Sequence, residues 1–365
     1  MEGGGVERDT FHTAIAIKEA GFNSIVISNG GVLGERLGRF GVLHINLPVH
    51  TKNPFKIYFN HKKLVKLIEK YKINILHARS RAPAYSAYYA CKKAKIPFLT
   101  TFHGCHKLGL FGLKEKYNSI MAKGDKVIAV SDFVKEYVAN NYKIDKDEII
   151  VIKDGVDLNI FDPDKVSTER KIQVIESFNI EDGKTIITMP ARFTKIKGHD
   201  LFLKAIADIK KIRNDFACVL LGKAKKKYKK NIIKLIKQLD LEDVVHIREQ
   251  SNDMPAVYSC SDIIVSSSIV PEAFGLTIAE AQSMGRIVIA PDFGGTAEIV
   301  NNNVDGFLFE MGNCDSLRMA LNKALSMNLD ERKIMSKKAI DNIKNNFTID
   351  VSNEKSMKLY KDILK

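Results

Sequence analysis

A chain of 365 residues is long for one hydrophobic core and has about the length of two domains, and its 45% hydrophobic content supports ordinary globular packing. No run reaches the ~18 to 20 uninterrupted apolar residues of a membrane span, and the opening Met1-Glu-Gly-Gly-Gly lacks the apolar core of a signal peptide, so the chain reads as cytosolic. Net charge of +14 suits phosphate-rich partners, and five scattered cysteines (Cys91, Cys105, Cys218, Cys260, Cys314) fall at no metal-ligand or redox spacing.

The chain begins with a glycine turn, Gly3-Gly4-Gly5-Val6-Glu7-Arg8, that leads into a helical pattern over 9–20. Glycines before a helix, Gly4 and Gly5 here, permit close backbone approach to a phosphate or an acceptor. Short apolar runs at 24–28, 42–47, 73–77, 97–101 and 126–130 then read as strands, with amphipathic stretches between them. His103 stands in the loop that follows the fourth run, and Ser131 can cap the helix that follows the fifth. The Asp154-Gly155 turn and Pro163 end a further strand and open a connection. These signals place a first domain at 1–165, a second at 166–345 and a terminal helix at 346–365.

Apolar runs at 185–189, 217–221, 244–247, 262–266, 287–290 and 306–309 continue the alternation, separated by helical patterns such as 198–213 and 231–239. Alternating strands and helices predict an α/β chain with two doubly wound, Rossmann-like parallel sheets. The Lys-rich segment 223–230 reads as a solvated helix start, since it lacks interleaved aromatics, and no nucleic-acid partner is expected.

In open α/β sheets ligands bind beyond the carboxyl ends of the strands, so two facing domains would make a cleft between their loops. The loop after Met189 carries Arg192 and Lys197, which can both grip a diphosphate. The stretch 271–285 carries the most information, because a strand ends, Pro271-Glu272-Ala273-Phe274-Gly275-Leu276-Thr277 follows, and a helix opens. Amides near Phe274, Gly275, Leu276 and Thr277 can receive a phosphate at the helix N-terminus. Glu272 would face what is attached to that phosphate, and Glu280, inside the helix, can accept hydrogen bonds from a ribose.

Together with Arg286-Ile287-Val288-Ile289-Ala290-Pro291 and Gly294-Gly295-Thr296-Ala297-Glu298-Ile299, this pattern resembles the signature of retaining glycosyltransferases of the GT-B fold. That large group includes lipopolysaccharide glycosyltransferases, and the resemblance runs from about Gly3 to the C-terminus. It implies transfer of a sugar from a nucleotide diphosphate-sugar to a glycan or lipid-linked acceptor, with retention, no metal and no other cofactor. Arg192 and Lys197 match the pair that the family uses on the diphosphate, and His103 matches a histidine that contacts the transferred sugar. Gly222 matches a glycine beside the nucleotide, and the last helix would cross back to the first domain.

The chain also departs from the family. Asp154 stands where an Asn is usual, and a hydrophobic strand normally precedes Gly-Gly-Val-Glu-Arg, so the first domain is expected to lack its first strand and to be marginally stable. Two other readings stay open: a nucleotide-sugar-binding remnant without turnover, and a glycoside hydrolase using Glu272 and Glu280 as its acid and its nucleophile or base. For the acceptor, residues 30–40 with Arg36 and Arg39, and 107–114 with Leu108, Leu110, Phe111 and Leu113, would offer a basic and apolar surface at the cytoplasmic face of a membrane.

Overall fold

A computed structural model describes residues 1–105, 113–223 and 225–365, so the expected apolar stretch 107–114, with Leu108, Leu110 and Phe111, lies almost wholly outside the described residues. The chain divides into two units, Met1–Gly155 with Ile349–Lys365, and Val156–Thr348. The sequence placed the junctions at 165/166 and 345/346. Val156 belongs with the second unit because it forms a parallel bridge with Thr348, and its N–H donates to the Phe347 carbonyl at 2.8 Å. That bridge ties the two ends of the unit together.

The first unit opens with α1 (Gly5–Glu19), β1 (Ile25–Ser28), α2 (Val32–Arg36), β2 (Leu43–Asn46), α3 (Pro54–Tyr71), β3 (Leu76–Ala78) and α4 (Arg81–Ala94). It continues through β4 (Phe98–Phe102), α5 (Leu113–Asn118), β5 (Lys126–Ala129), α6 (Asp132–Tyr142) and β6 (Ile149–Val151). Every pairing is parallel, yet the strands form two sheets, β1-β2 and β3-β4-β5-β6. Among the described residues β1 pairs with β2 alone and β3 with β4 alone, which fits a first sheet without its central strand. α3 and α4 cover both pieces, since Leu64, Ile68 and Ala90 share one apolar cluster with Ile27 of β1 and Leu76 of β3. Ser131 accepts from the Val134 N–H at 3.1 Å, so it caps α6 as the sequence suggested.

The second unit runs through α7 (Thr168–Phe178), β7 (Thr185–Pro190), α8 (His199–Lys210), β8 (Phe216–Leu221), α9 (Lys226–Gln238), β9 (Val245–Arg248), α10 (Met254–Ser259) and β10 (Ile263–Val265). It ends with α11 (Leu276–Ser283), β11 (Ile287–Pro291), β12 (Phe307–Phe309), α12 (Cys314–Ser326) and α13 (Leu329–Asn346). Its sheet has the order β12-β11-β10-β7-β8-β9, all parallel. β8, β10 and β11 are buried at every position, as strands covered by helices on both faces must be. One continuous core joins them, from Ile187 and Phe202 to Phe309 and Leu321. The chain winds outward from β7 through β8 to β9, then returns to lay β10 on the other side of β7. This is a topological switch, where a crevice opens beyond the strand ends.

The chain closes with α14 (Ile349–Ile363), which packs with α1 in the first unit. Leu359 and Tyr360 enter a cluster with Leu99, Ile128 and Ile152, and the Tyr360 hydroxyl lies 2.8 Å from Nδ1 of His77. Nε2 of the same ring lies 2.7 Å from the Thr101 hydroxyl, so the partly buried imidazole links helix, β3 and β4.

Among the described residues β1 and β2 pair only with each other and share small apolar clusters with their helices, whereas β7 and β8 sit inside one large core. Amides of Ile27 and Ile45 are therefore expected to exchange with solvent at least about tenfold faster than those of Ile187 and Val219, measured by native-state hydrogen exchange. Equal protection would show that the divided sheet carries no penalty.

Candidate functional site

The second unit's site grows from the switch between β7 and β10. After β7 the chain turns through Lys195–Lys197 and reaches Gly198, whose φ of +68° lies in the left-handed region. A Cβ added there would stand 1.9 Å from the Ser267 carbonyl oxygen, so only glycine lets the two loops run against each other. Ser267 locks that contact, donating its hydroxyl toward the carbonyls of Lys197 (3.1 Å) and Gly198 (3.0 Å), while Ile269 N–H donates to Ile196 O at 3.0 Å.

This contact aims Lys197 at Glu272. Their Nζ and Oε1 atoms are 2.7 Å apart, and the same carboxylate oxygen accepts from Ser268 at 2.6 Å and Ser266 at 3.2 Å. Burial alone would raise the Glu272 pKa, but the Lys197 charge and these three hydrogen bonds outweigh it and hold the carboxyl below its usual value. The ionised form therefore persists across the neutral range.

Glu272's backbone is fixed from the other side. It forms a parallel bridge with Gly294, and its carbonyl accepts from the Gly295 N–H at 2.8 Å. A Cβ on Gly294 would come 2.8 Å from that carbonyl oxygen, and one on Gly295 would come 2.4 Å from the Ala273 carbonyl oxygen. The glycine pair singled out in the sequence thus allows close backbone packing behind the acidic loop.

Met189, Pro190, Ala191, Lys197, Val265, Ser266, Ser267, Ser268, Glu272, Gly275, Thr277 and Ile278 line a small depression. Lys197, Glu272, Gly275 and Thr277 are thereby brought together. Gly275, with φ +111°, precedes the first turn of α11, whose leading N–H groups have no intrahelical acceptor. Leu276 opens that turn. Phe274 is buried, its ring 6.0 Å from that of Phe347, so any ligand would meet its backbone only.

Besides Phe274 and Leu276, three more of the second unit's expected residues stand outside this lining. Arg192 is exposed in the loop after β7. Gly222 ends β8 against β7, where an added Cβ would lie 2.2 Å from the Ala191 carbonyl oxygen. Glu280 is buried inside α11, and its Oε2 accepts from the Tyr258 hydroxyl at 2.9 Å.

A second constellation occupies the first unit. His103, partly buried after β4, has Nε2 3.7 Å from Asp9 Oδ2 and Nδ1 3.7 Å from Asp154 Oδ1. Asp9 in turn pairs with the Arg79 guanidinium. Burial, then the nearby charge of Arg79, then His77, pushes the His103 pKa well below its ordinary value, so the ring is neutral. Burial also raises the Asp154 carboxyl, to about 7, against the opposing pull of Arg79. Among the described residues Asp9, His103 and Asp154 are the group whose ligand atoms, within 4.8 Å of one another, have the chemistry for a metal. Arg79 already brings a positive charge to Asp9, which opposes a second cation there.

Gly4 and Gly5 begin α1, and their turn is occupied by the chain itself. Oε2 of Glu7 accepts the N–H groups of Glu2 (2.9 Å), Gly3 (2.7 Å) and Gly4 (2.7 Å). The amide nest expected to meet a phosphate or acceptor thus holds a carboxylate.

Sequence reading missed Asp9, Arg79, Ser266, Ser268 and Tyr258. The run Ser266-Ser267-Ser268 at a strand end was the available signal. Nothing local marks Tyr258 as the partner of a residue 22 positions away.

The family model for glycosyl transferases group 1 matches residues 171–342, and that for glycosyltransferase family 4 matches residues 3–160. A crystal structure of a glycosyltransferase from Rickettsia africae is similar at 40% identity and a TM-score of 0.90, covering 99% of this chain and 96% of that one. The Anabaena protein HepE, solved with UDP and glucose, shares the fold at 18% identity and a TM-score of 0.82, over 98% and 96% of the two chains. An Escherichia coli UDP-Gal:α-D-GlcNAc-diphosphoundecaprenol α-1,3-galactosyltransferase is 28% identical over 82% of this chain and 78% of that enzyme. The Salmonella typhimurium lipopolysaccharide 1,2-N-acetylglucosaminetransferase is 26% identical over 41% of this chain and 42% of its own length.

Two outcomes test this geometry. Gly198→Ala is expected to cost at least about 2 kcal/mol in chemical denaturation, because it adds both positive-φ strain and a backbone clash; a neutral change would contradict the close approach. Asp154, whose folded pKa is raised, binds its proton more readily folded than unfolded, so its contribution becomes unfavourable as pH rises from about 4 to about 7. Asp154→Asn should therefore stabilise the first unit at pH 8 by on the order of 1–3 kcal/mol more than at pH 5, read from melting curves.

Proposed function

This chain belongs to the glycosyl transferases group 1 family, and from that premise we propose that it moves a sugar from a nucleoside diphosphate-sugar to a hydroxyl of a glycan or lipid-linked acceptor, with retention and without a metal or other cofactor. The observation that carries the reading is the Lys197–Glu272 pair at the β7/β10 switch, beside the open first turn of α11.

Departure of a nucleoside diphosphate builds negative charge on the leaving oxygen. Fixed cations and helix amides stabilise that charge without reorganising. Lys197 is already held at the mouth of α11 by Glu272, with Arg192 in the same loop and exposed. On this reading Lys197, Arg192 and the N–H groups of Gly275, Leu276 and Thr277 receive the diphosphate. Glu272, ionised and braced by two serines, accepts hydrogen bonds from the donor sugar and fixes its orientation. Glu280 serves the ribose, Gly222 lies beside the nucleotide, and neutral His103 donates a hydrogen bond to a sugar hydroxyl.

The leaving diphosphate accepts the acceptor's proton as the new glycosidic bond forms, so charge and proton balance without another base. The named relatives favour a UDP-hexose donor and a lipid-diphosphate or lipopolysaccharide acceptor for this chain.

The test is a panel of nucleotide-sugars followed by calorimetry and nucleoside-diphosphate release. Lys197→Ala and Glu272→Ala are each expected to lower kcat by about 10²- to 10³-fold with folding preserved. Binding without release by the unaltered chain, across acceptors, would favour a remnant. Sugar release from a glycoside without a nucleotide would replace transfer with hydrolysis.

A further inference from the structure

Charge is concentrated in one stretch of the first unit. Residues 51–95 hold ten lysines and two arginines against one acid, Glu69, and so carry eleven of the fourteen net positive charges of the chain. That stretch folds as α3, β3 and α4. α3 turns Asn60, Leu64 and Ile68 inward. At about 100° per residue the opposite face carries Phe55, Tyr58, Phe59, Lys62 and Lys66. Phe55 is 77% exposed, Phe59 59% and Tyr58 51%.

Single exposed apolar side chains are ordinary, but three aromatics on consecutive turns of one lysine-rich helix form a patch. α4 extends it. His61 lies between the rings of Tyr58 (5.2 Å) and Tyr89 (6.4 Å), and Tyr89 is half exposed. Lys62 stands 4.5 Å over the Tyr58 ring and Lys92 4.9 Å over Tyr88, so charge and aromatic faces are interleaved.

α9 provides the internal contrast. It is also lysine-rich, but Ile232 and Ile236 are spent on the core and its outer face is lysine without aromatics. α9 has the form of a solvated face, whereas α3 has the form of an interfacial helix, with rings at headgroup depth and ammonium groups against phosphates. Parallel, open ring faces would suit nucleic-acid bases, yet Tyr58 and Phe59 meet at 73° and Tyr58 is capped by Lys62. Among the described residues no helix is long and apolar enough to cross a membrane.

We propose that the outer face of α3, with the adjoining end of α4, docks on an anionic phospholipid surface through Phe55, Tyr58, Phe59, Lys62 and Lys66. This site differs from the expected surfaces at 30–40 and 107–114, and it places a lipid-linked acceptor within the enzyme's working environment.

Co-sedimentation of the full chain with phosphatidylcholine vesicles, with and without phosphatidylglycerol, tests it in the absence of any donor. Its result is therefore separate from that of the nucleotide-sugar assay. Binding is expected only when phosphatidylglycerol is present. Phe55→Ser/Phe59→Ser and Lys62→Glu/Lys66→Glu should each weaken it about tenfold or more, at unchanged melting temperature, while Lys226→Glu/Lys230→Glu on α9 leaves it intact. Absence of binding, equal binding to phosphatidylcholine alone, no effect of the aromatic pair, or equal loss in the α9 variant would each overturn the proposal.

Discussion

The candidate donor site depends on one backbone contact, the passage of Gly198 over the Ser267 carbonyl. A sheet whose strand order reverses between β7 and β10 leaves two loops side by side at their carboxyl ends. Without a glycine at the crossing those loops would have to separate, and Lys197 would lose its reach to Glu272. With it, three serines and one lysine are gathered by buried or partly buried hydrogen bonds of 2.6 to 3.2 Å. The carboxylate is then ionised because of its neighbours and in spite of its burial.

The two acidic positions read from the sequence occupy different environments. Glu272 faces a depression and is braced by hydroxyls and a cation. Glu280, eight residues on, is buried and accepts from Tyr258. A pair of carboxylates poised for hydrolysis would share a reacting bond between them. Here one belongs to the loop and lines the depression, and the other belongs to the interior of α11.

Much of the fold was legible because parallel strands buried on both faces leave continuous apolar runs, and the runs at 185–189, 217–221, 262–266 and 287–290 all became strands. The glycines at 198, 275, 294 and 295 were legible as turn or loop residues, although the backbone each one admits was not. What stayed hidden was long-range polar pairing. Arg79 finds Asp9 across 70 positions and Lys197 finds Glu272 across 75, and no local period encodes such a meeting. Glu7 was hidden for a different reason. Its neighbours read as a site for an external anion, and a glutamate three residues beyond the helix cap supplies that anion from within.

The first unit is assembled from both ends of the chain. Residues 1–155 emerge first, yet α14, with Leu359, Tyr360 and the Tyr360–His77 bond, is made last. The second unit, 156–348, is complete in sequence before that helix exists. During synthesis the later-made unit is thus complete in sequence before the earlier one has its final helix. Leu99, Ile128 and Ile152 are therefore without the helix that packs on them in the finished chain for the time needed to make about 200 more residues, on the order of ten seconds or longer at ordinary elongation rates.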